Sequence, residues 1–366
     1  MCMKFNLEAT DLQNGVFSVI KALPLRSAMP VLDGILIEAK KGEVHLACSD
    51  LMFQKECSLP AFVEEEGTCV VKGKFFAEIL RKLPSGPIRF ELEGNVLHLK
   101  SGRIRQRVQC IEFDEFPLMK AKGENYDLVL PKDNFKTMIE HTVFAVSQDD
   151  ARPVLTGTLL EASEDKISLV ATDSFQFALT SFRFDHPITE RSTIVQGKVL
   201  SEIGKMAEEA EETVTLQLTN THITVEVGST RLTARLLDGN YIDYKRIIPK
   251  ECKTRVLVNV SVLSEMIDRA SLISREGNNS IRFAFEDNTM RLNAESYLGR
   301  VEDEAEVQIV GDPIEIAFNP KYFINVLRNI SDETVYLEFN SAISPCVIRP
   351  VQGDAYLYLI VPMRIY

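Results

Sequence analysis

The sequence predicts an α+β protein built from three tandem similar domains, with antiparallel sheets on one side and two helices per domain on the other. One stretch occurs three times, at residues 34–50 (GILIEAKKGEVHLACSD), 157–173 (GTLLEASEDKISLVATD) and 280–296 (SIRFAFEDNTMRLNAES), and successive copies lie 123 residues apart. In each copy apolar and polar residues alternate on both sides of a polar or glycine-containing turn, which is the pattern of a β-hairpin. The sequence therefore predicts three copies of one structural module.

Each repeat shows the same order of elements: a strand, a helix, the hairpin, a second strand, a second helix and two further strands. In the first repeat these fall at residues 4–8, 12–23, 34–50, 69–71, 74–83, 88–92 and 96–100. In the second they fall at 128–130, 132–144, 157–173, 192–195, 198–207, 213–218 and 222–227. In the third they fall at 255–258, 262–273, 280–296, 314–318, 321–330, 335–339 and 346–350.

Polar links near residues 122–125 and 249–252 divide the repeats into domains 1–124, 125–249 and 250–366. A chain of 366 residues is too long for one core, and a hydrophobic content of 45% lets each repeat bury a core of its own. No proline-rich or low-complexity tether separates the repeats, so we expect them to pack rigidly end to end.

The cysteine and histidine content argues against a metal site. Seven cysteines form no CxxC pair and the five histidines are scattered, so we expect no metal and no other cofactor. We interpret the cysteines as buried, reduced thiols. The first residues lack the apolar segment of a signal peptide and no run is long enough to cross a bilayer, so the sequence predicts a cytoplasmic protein.

No catalytic constellation is apparent, and the sequence predicts that the protein is not an enzyme. Residues 67–74 superficially suggest a phosphate-binding loop, but Phe75 stands where a serine or threonine would bind the metal. Asp149, Asp150 and Asp173 could form a carboxylate site. No catalytic partner lies beside them, and a loop or turn role is favoured.

Basic residues recur on the second helix of every repeat. The net charge of −12 argues against a protein that binds nucleic acid with a generally basic exterior, so any basic surface has to be local. The pairs, always seven residues apart and hence on one helical face, are Lys74 and Arg81, Lys198 and Lys205, and Lys321 and Arg328. A single pair is ordinary for an exposed helix, but recurrence in three copies favours a polyanion held by sequence-independent phosphate contacts. Because no aromatic residue interleaves these cations, duplex is favoured over a single strand.

Two alternating charge runs lie in the first and third repeats. Arg103, Arg105 and Arg107 share one side of a predicted strand. Glu302, Glu304 and Glu306 do the same near the other end of the chain. Opposite charges at the two ends predict head-to-tail association, which closes into a ring if the rotation permits. Two unrelated solvated strands explain these patterns equally well.

Several segments resemble one family, and together they span the whole chain. They are MPVLDGILIEA (29–39), KFFAEILRKLP (74–84), LTGTLLE (155–161), VATD (170–173), LLDGNYIDYKRIIP (236–249) and VPMRI (361–365). The chain resembles the bacterial sliding clamp, the β subunit of DNA polymerase III. The resemblance implies the DNA clamp fold and a head-to-tail homodimer that forms a closed ring around duplex DNA. Helices would line the central hole, and sheets would lie outside. The implied function is that of a processivity factor, and a DNA-binding scaffold that never closes is the alternative.

The resemblance also implies a pocket between the second and third domains. There the replicative polymerase, the clamp loader and repair proteins would insert a short apolar peptide. The matching positions are Leu155, Thr172, Arg246, Ile247, Asn319, Tyr322, Ile343, Ile360, Val361, Pro362, Met363 and Arg364. This chain departs from the family at Ser174, Phe175, Gln176 and Phe177, where Gly-His-Arg-Leu is usual, and at Ile242, where proline is usual. We therefore expect a bulkier, less polar lip and a different peptide preference.

The same resemblance places two further sets of residues. Together with the helix cations Arg81, Lys198, Lys205, Lys321 and Arg328, the DNA-facing positions are Arg26 and the loop from Gln148 to Arg152. At the dimer seam, Lys74, Arg103, Arg105 and Arg107 would face Glu302 and Glu304, and Leu272 and Ile273 would meet Val108. Lys74 is assigned to the seam because it lies at the end of its helix. Gln106 stands where the family often has an aromatic residue, which leaves the strength of the seam open.

Overall fold

A computed structural model describes residues 2–121, 123 and 126–364, and within these residues it contains six α-helices and 26 β-strands. The helices are α1 (Ala9–Val19), α2 (Gly73–Arg81), α3 (Lys132–Val143), α4 (Gly197–Glu208), α5 (Val260–Ser274) and α6 (Pro320–Leu327). The first strands are β1 (Cys2–Glu8), β2 (Gly34–Lys40), β3 (Glu43–Ser49), β4 (Phe53–Pro60), β5 (Phe62–Glu65), β6 (Gly67–Lys72), β7 (Pro87–Glu93), β8 (Val96–Ser101) and β9 (Ile104–Gln109). Next come β10 (Tyr126–Pro131), β11 (Gly157–Ser163), β12 (Lys166–Thr172), β13 (Gln176–Arg183), β14 (Arg191–Gln196), β15 (Thr213–Leu218), β16 (His222–Val227) and β17 (Thr230–Arg235). The last are β18 (Thr254–Asn259), β19 (Ile281–Glu286), β20 (Thr289–Ser296), β21 (Gly299–Glu306), β22 (Gln308–Gly311), β23 (Ile314–Phe318), β24 (Thr334–Phe339), β25 (Cys346–Pro350) and β26 (Tyr356–Ile360).

The three predicted hairpins are confirmed, with the same register in every copy. The pairs that lie opposite each other are Ile37 with Leu46, Leu160 with Leu169, and Phe283 with Leu292. All six side chains are buried. Residues one repeat apart in the sequence therefore occupy equivalent buried positions in the three hairpins, because register fixes which face of a hairpin is buried.

A third strand extends each hairpin, and in the first two repeats the sequence pattern did not predict it. These strands are β4, β13 and β21. An aspartate holds the turn before β4 and before β13. Asp50 Oδ1 accepts hydrogen bonds from the backbone N–H of Met52 and Phe53, and Asp173 Oδ1 does the same for the residues two and three positions after it. This is the turn role expected for Asp173.

Packing divides the chain into two units, Met1–Lys132 with Lys205–Leu236, and Asp133–Gly204 with Leu237–Tyr366. The first unit holds a five-stranded sheet, ordered β5-β1-β7-β8-β9, and an eight-stranded sheet, ordered β10-β15-β16-β17-β4-β3-β2-β6. Helices α1 and α2 pack against each other, and α1 covers β3 and β4. The eight-stranded sheet combines strands of the first and second repeats through the pairing of β17 with β4.

The second unit holds a nine-stranded sheet, ordered β14-β11-β12-β13-β26-β25-β24-β18-β22, and a four-stranded sheet, ordered β21-β20-β19-β23. Pairing of β13 with β26 joins strands of the second and third repeats. Helices α5 and α6 pack together, and α5 lies on β20 and β21. Both helices start at an asparagine whose side-chain oxygen caps the first turn, Asn259 for α5 and Asn319 for α6.

The predicted domain boundaries do not coincide with these two units, because the strands of the second repeat are shared between both. The first boundary falls at residues 124 and 125, which lie outside the described residues. No helix in the described part of the chain is long and apolar enough to span a bilayer.

Candidate functional site

The turn between β12 and β13 is held by a buried polar network. Asp173 Oδ2 accepts a hydrogen bond of 3.0 Å from the side-chain amide of Gln176, whose oxygen accepts one of 3.2 Å from Asn325 on α6. Thr172 Oγ1 donates to the carbonyl of Gln176 over 2.7 Å. Ser174 has a φ of 79°, so its backbone is left-handed and the turn is tight. The network fixes where the side chain of Phe175 emerges.

Phe175 stacks on Tyr322 at the start of α6. The ring centroids lie 5.8 Å apart and the planes differ by 11°. Phe175 stays 56% exposed, so one face of the stack is open to solvent. Burial, and then the nearby Asp173 carboxylate, raise the pKa of Tyr322 above its usual value. Its hydroxyl is therefore neutral and able to donate a hydrogen bond at physiological pH.

The C-terminal segment runs beside this stack. The backbone N–H of Val361 donates to the carbonyl of Phe175 over 2.9 Å, and that of Met363 donates to Ala317 over 2.7 Å. These bonds place the end of the chain between the β12–β13 turn and the strand that leads into α6. Val361 is exposed, and Pro362 and Met363 are partly buried.

A cavity of about 730 Å³ opens beside the Phe175–Tyr322 stack. Its lining residues are Phe144, Val146, Ser147, Gln148, Asp149, Arg152, Leu155, Asp173, Ser174, Phe175, Gln176, Lys321, Tyr322 and Asn325. Leu155 and the two stacked rings give it an apolar part, and charged side chains line the remainder. A volume of this size fits a few amino-acid side chains.

A second apolar cluster anchors the neighbouring loop, residues 236–249. Phe177 and Tyr244 pack face to face with centroids 6.0 Å apart, inside a cluster that includes Leu359. Ile242 and Ile247 remain exposed on the same loop. The loop is thereby held against the sheet while two of its apolar side chains face solvent.

The structure separates the predicted pocket residues by role. Leu155, Phe175 and Tyr322 line the cavity, whereas Thr172, Phe177 and Ile360 are buried and do not line it. The side-chain oxygen of Asn319 caps α6 and accepts a hydrogen bond of 3.0 Å from the backbone N–H of Lys321. Arg246 is exposed and its Nε lies 2.8 Å from Asp243 Oδ2. Ile343 is 85% exposed, and Arg364 is also exposed.

The expected lip of four substituted residues needs a correction. Gln176 and Phe177 point into the protein, Gln176 to complete the network with Asp173 and Asn325 and Phe177 to pack on Tyr244. Ser174 and Phe175 reach the rim, and Gln176 lines the cavity although it is buried. The reason is that Gln176 and Phe177 begin β13, which is covered on both faces there, whereas Ser174 and Phe175 belong to the turn before it.

The predicted DNA-facing and pocket residues are not separate. Gln148, Arg152 and Lys321 line the same cavity as Leu155 and Tyr322. Arg152 Nη1 donates to Ser174 Oγ over 3.2 Å, which ties the loop to the turn. The remaining DNA-facing cations, Arg26, Arg81, Lys198, Lys205 and Arg328, are exposed. Arg81 also pairs with Glu78 over 2.9 Å, which offsets part of its charge.

A second cavity, of about 470 Å³, lies between the end of α5 and the start of α6. Arg275, Lys321 and Arg328 bring three cations to its wall, and Asp268 brings one carboxylate. Sequence reasoning missed Arg275, because it lies outside the repeated second helix. Its only sequence signal is a basic residue just after the last turn of α5.

Three family models match this chain, and together they cover nearly its whole length. They describe the N-terminal, central and C-terminal domains of the DNA polymerase III beta subunit and match residues 3–120, 129–243 and 245–364. The chain belongs to the DNA polymerase III beta subunit family.

Relatives and solved structures agree with this assignment. The beta sliding clamp of Bacillus subtilis is 31% identical over 379 residues that cover all of both chains. The solved clamp structure from that organism superposes with a TM-score of 0.95 at 30% identity, again over all of both chains. A sliding clamp from Pseudomonas aeruginosa, solved bound to griselimycin, gives a TM-score of 0.93 at 25% identity with full coverage of both chains. The three similar α+β domains predicted from the repeats are confirmed, and so is the clamp fold that the resemblance implied.

The two charged strands of this clamp subunit both lie at the edge of a sheet. β9 ends the five-stranded sheet and β21 ends the four-stranded sheet. Arg103, Arg105 and Arg107 are exposed at β9, and Glu302 and Glu304 are exposed on β21. Arg103 belongs to the turn just before β9. Edge strands have unpaired backbone groups, so each can accept a further strand.

Among the other predicted seam residues of the clamp subunit, Lys74 and Leu272 are exposed and Ile273 is partly buried. Val108 is only 1% exposed, because its side chain faces the core on the opposite side of β9 from the arginines. The predicted contact of Val108 with Leu272 and Ile273 would join two subunits and stays a prediction. Tyr297 and Leu298, at the tip between β20 and β21, are exposed apolar residues that the sequence analysis did not single out.

The expectation that the cysteines are buried holds for five of the described thiols. Cys48, Cys57, Cys69, Cys110 and Cys346 are buried, but Cys252 is exposed. Cys252 precedes β18 in the irregular link between the second and third repeats, where no sheet covers it. Within the described ranges, no group of three or more histidine, cysteine or acidic side chains could hold a metal ion.

Proposed function

We propose that this protein is a processivity factor for DNA polymerase: a homodimeric ring that encircles duplex DNA, slides on it and tethers the replicative polymerase. The observation that carries this proposal is the pair of edge strands with opposite charge, β9 and β21. If one subunit's β9 meets its partner's β21, each edge gains main-chain hydrogen bonds and the charges complement each other. Two such head-to-tail contacts close a ring in which the β9 and β21 edges are both paired.

Sliding requires that DNA is held loosely. The exposed helix cations supply sequence-independent phosphate contacts, and the net charge of −12 limits how strongly the whole molecule attracts DNA. The protein then stays on DNA because the closed ring surrounds the duplex, not because it binds the duplex tightly. The protein needs no catalytic group for this role, and we propose that it acts as a non-enzymatic factor in the cytoplasm.

The test compares closed and open DNA. Protein loaded onto a nicked circular plasmid should co-elute with the plasmid on a sizing column and should be lost once a restriction enzyme linearises it. Equal loss from circular and linear DNA would favour the alternative, a DNA-binding scaffold that never closes. Analytical ultracentrifugation at micromolar concentration should show a dimer, and a monomer there would exclude the ring.

We further propose that the region around the Phe175–Tyr322 stack is the docking site for the polymerase, the clamp loader and repair proteins. Exposed apolar side chains from three segments support this: Phe175, Ile247 and Val361. A cavity lies next to them, and polar groups such as Arg152 line it. This combination suits a short peptide with apolar side chains.

Fluorescein-labelled peptides from cognate polymerase and clamp-loader subunits would test the docking site by anisotropy. Met363→Ala should weaken binding while the dimer and its melting temperature stay unchanged. Unaltered affinity in both Met363→Ala and Tyr322→Ala would contradict the assignment of the docking site.

We also retain domains 1–124, 125–249 and 250–366 as the proposed structural repeats.

A further inference from the structure

We propose that an apolar contact closes one end of the dimer seam: Tyr297 and Leu298 of one subunit pack on Phe75 of a second copy of this chain. The inference rests on the proposed ring, because it adds side chains to the meeting of β9 with β21. These side chains are not among the charged residues that carry the ring proposal. The contact can therefore be disproved while the ring stands.

Two large apolar side chains protrude at the tip between β20 and β21. Tyr297 is 81% exposed and Leu298 is 64% exposed. The Tyr297 hydroxyl donates to Glu276 Oε2 over 3.4 Å, which holds the ring beside the end of α5. Leu272 lies about one helical turn before Glu276 and is also exposed. Because apolar side chains that cluster on a surface mark an interaction site, this apolar tip needs a partner.

The other half of the contact lies near the end of β9. Cys110, which directly follows β9, forms a bridge with Val71 of β6. Strand β6 leads straight into α2, whose first turn carries the exposed residues Lys74 and Phe75. Phe75 is 55% exposed although it is aromatic. The end of the β9 edge and an exposed aromatic ring are therefore neighbours.

The direction of the seam decides which ends of the two edges meet. Among the described residues, all strand pairs in the five-stranded and four-stranded sheets are antiparallel. An antiparallel seam continues this pattern and brings the start of β21 to the end of the partner's β9, where the apolar tip meets Phe75. A parallel seam would bring the tip to Gly102 and Arg103, the polar turn before β9. Burial of apolar surface therefore favours the antiparallel seam.

The charges along the two edges do not select a direction by themselves. Three alternating arginines face three alternating glutamates in either direction, so the complementarity is the same. The residues beside the apolar contact remove this ambiguity. Lys74 precedes Phe75, and Glu276 holds Tyr297, so a cation approaches a carboxylate only when the two rings meet. The apolar tip thus determines the direction in which two copies join.

Sedimentation equilibrium of the full chain tests the contact. Tyr297→Ala should raise the dimer dissociation constant by about a hundredfold, because an aromatic anchor contributes about tenfold and a ring contains the contact twice. Phe75→Ala should have a similar effect. The two substitutions together should cost less than the product of their separate effects, since both remove the same contact.

Two other exposed apolar residues provide matched controls. Phe62 is 69% exposed on β5, at the opposite edge of the five-stranded sheet from β9. Val310 is 74% exposed on β22, at an edge of the nine-stranded sheet. Phe62→Ala and Val310→Ala should both leave the dissociation constant unchanged.

Cross-linking tests the direction of the seam. Protein carrying Phe75→Cys is mixed with protein carrying Tyr297→Cys, both with Cys252→Ser to remove the exposed native thiol. A short bismaleimide should join the two chains into a species of twice the mass on a denaturing gel. Phe62→Cys in place of Phe75→Cys should give no such species, and neither should either variant incubated alone.

The outcomes separate this contact from the ring itself. Wild-type affinity in both Tyr297→Ala and Phe75→Ala, while Arg105→Glu with Arg107→Glu weakens the dimer, would overturn the contact alone. A dimer without the cross-link would also overturn it, because the tip and Phe75 would then lie apart. A wild-type protein that is monomeric at micromolar concentration would overturn both the contact and the ring.

Discussion

His141 is the clearest case of a single residue whose environment sets its chemistry. It lies on α3, and its Nδ1 is 2.6 Å from the hydroxyl of Tyr358 on β26. Tyr356 packs on the same ring, and Asp332 is the nearby charge. Burial lowers the pKa of His141 below 6.5, although the Asp332 carboxylate opposes the shift.

We predict that this histidine makes the protein less stable in mild acid. Its folded pKa lies below its unfolded value of 6.5, so in the interval between them the unfolded chain binds more protons and the free energy of unfolding falls as pH drops. We expect the free energy of unfolding to fall less between about pH 7.5 and about pH 5.5 in His141→Gln than in the wild type, as measured by urea unfolding. His186→Gln, at an exposed site, is the control and should keep the wild-type pH dependence.

Gly311 shows how closely two backbones approach at the edge of the nine-stranded sheet. Its φ is +120°, and a Cβ there would lie 1.9 Å from the carbonyl oxygen of Lys253. Gly86 has nearly the same φ, +122°, and a Cβ there would have no neighbour within 4 Å. Comparing the two glycines separates backbone strain from steric overlap.

Gly86→Ala should cost about 1 to 2 kcal/mol of unfolding free energy, from backbone strain alone. Gly311→Ala should cost more, because β22 has to move away from β18 to admit the methyl group. Chemical denaturation of both variants measures the difference. Equal losses would show that the close approach at Gly311 relaxes freely.

Phe175 links residue chemistry to the proposed docking site. Fully burying an apolar side chain stabilises by about 1.5–3 kcal/mol and Phe175 is about half exposed, so Phe175→Ala should weaken peptide binding by roughly threefold to tenfold. Anisotropy titration measures this change. Phe62→Ala, another exposed phenylalanine, lies in the other packing unit and should leave the affinity unaltered.

At the scale of elements, the edge strands carry the proposed dimer. Arg105→Glu combined with Arg107→Glu should weaken the dimer by about a hundredfold, because like charges placed face to face cost several kcal/mol. Adding Glu302→Arg and Glu304→Arg should restore much of the affinity by exchanging the two charges. Sedimentation equilibrium measures both constants. Lys41→Glu, in the exposed turn between β2 and β3 of the other sheet, is the control and should leave the dimer unaltered.

Shared sheets explain how neighbouring repeats hold together. Main-chain bonds run from β17 to β4 and from β13 to β26, so the strands of one repeat complete the sheet of another. A lost bond in these ladders would leave buried backbone groups unpaired, which is costly. This agrees with the absence of a flexible tether in the sequence.

At the scale of the whole molecule, encirclement predicts a particular response to salt. Phosphate contacts weaken steeply as salt rises, whereas a closed ring stays threaded. Binding to short linear duplex should therefore vanish at salt concentrations that leave protein on circular plasmid. Lys205→Ala with Arg328→Ala should weaken the linear binding further and leave retention on circles intact. Parallel salt dependence for both DNA forms would contradict a topological hold.

The sequence alone determined the repeat, the hairpins and the alternation of charge on β9 and β21, because each is a local pattern whose period equals that of the element. It did not identify β4 or β13, although both recur at the same period, because their sequences lack an apolar alternation that stands out. It also missed Arg275, which only the packing of α5 on α6 brings beside Lys321 and Arg328.

Tertiary structure decided which way individual side chains point. The sequence placed Gln176, Phe177 and Val108 on surfaces, and packing placed all three inside or nearly so. It also brought Cys110 beside Val71 of β6, although the two are far apart in the chain. Composition and periodicity fix what each element is, but which sheets meet, and which faces they cover, depends on contacts between residues distant in sequence. No local pattern records those contacts.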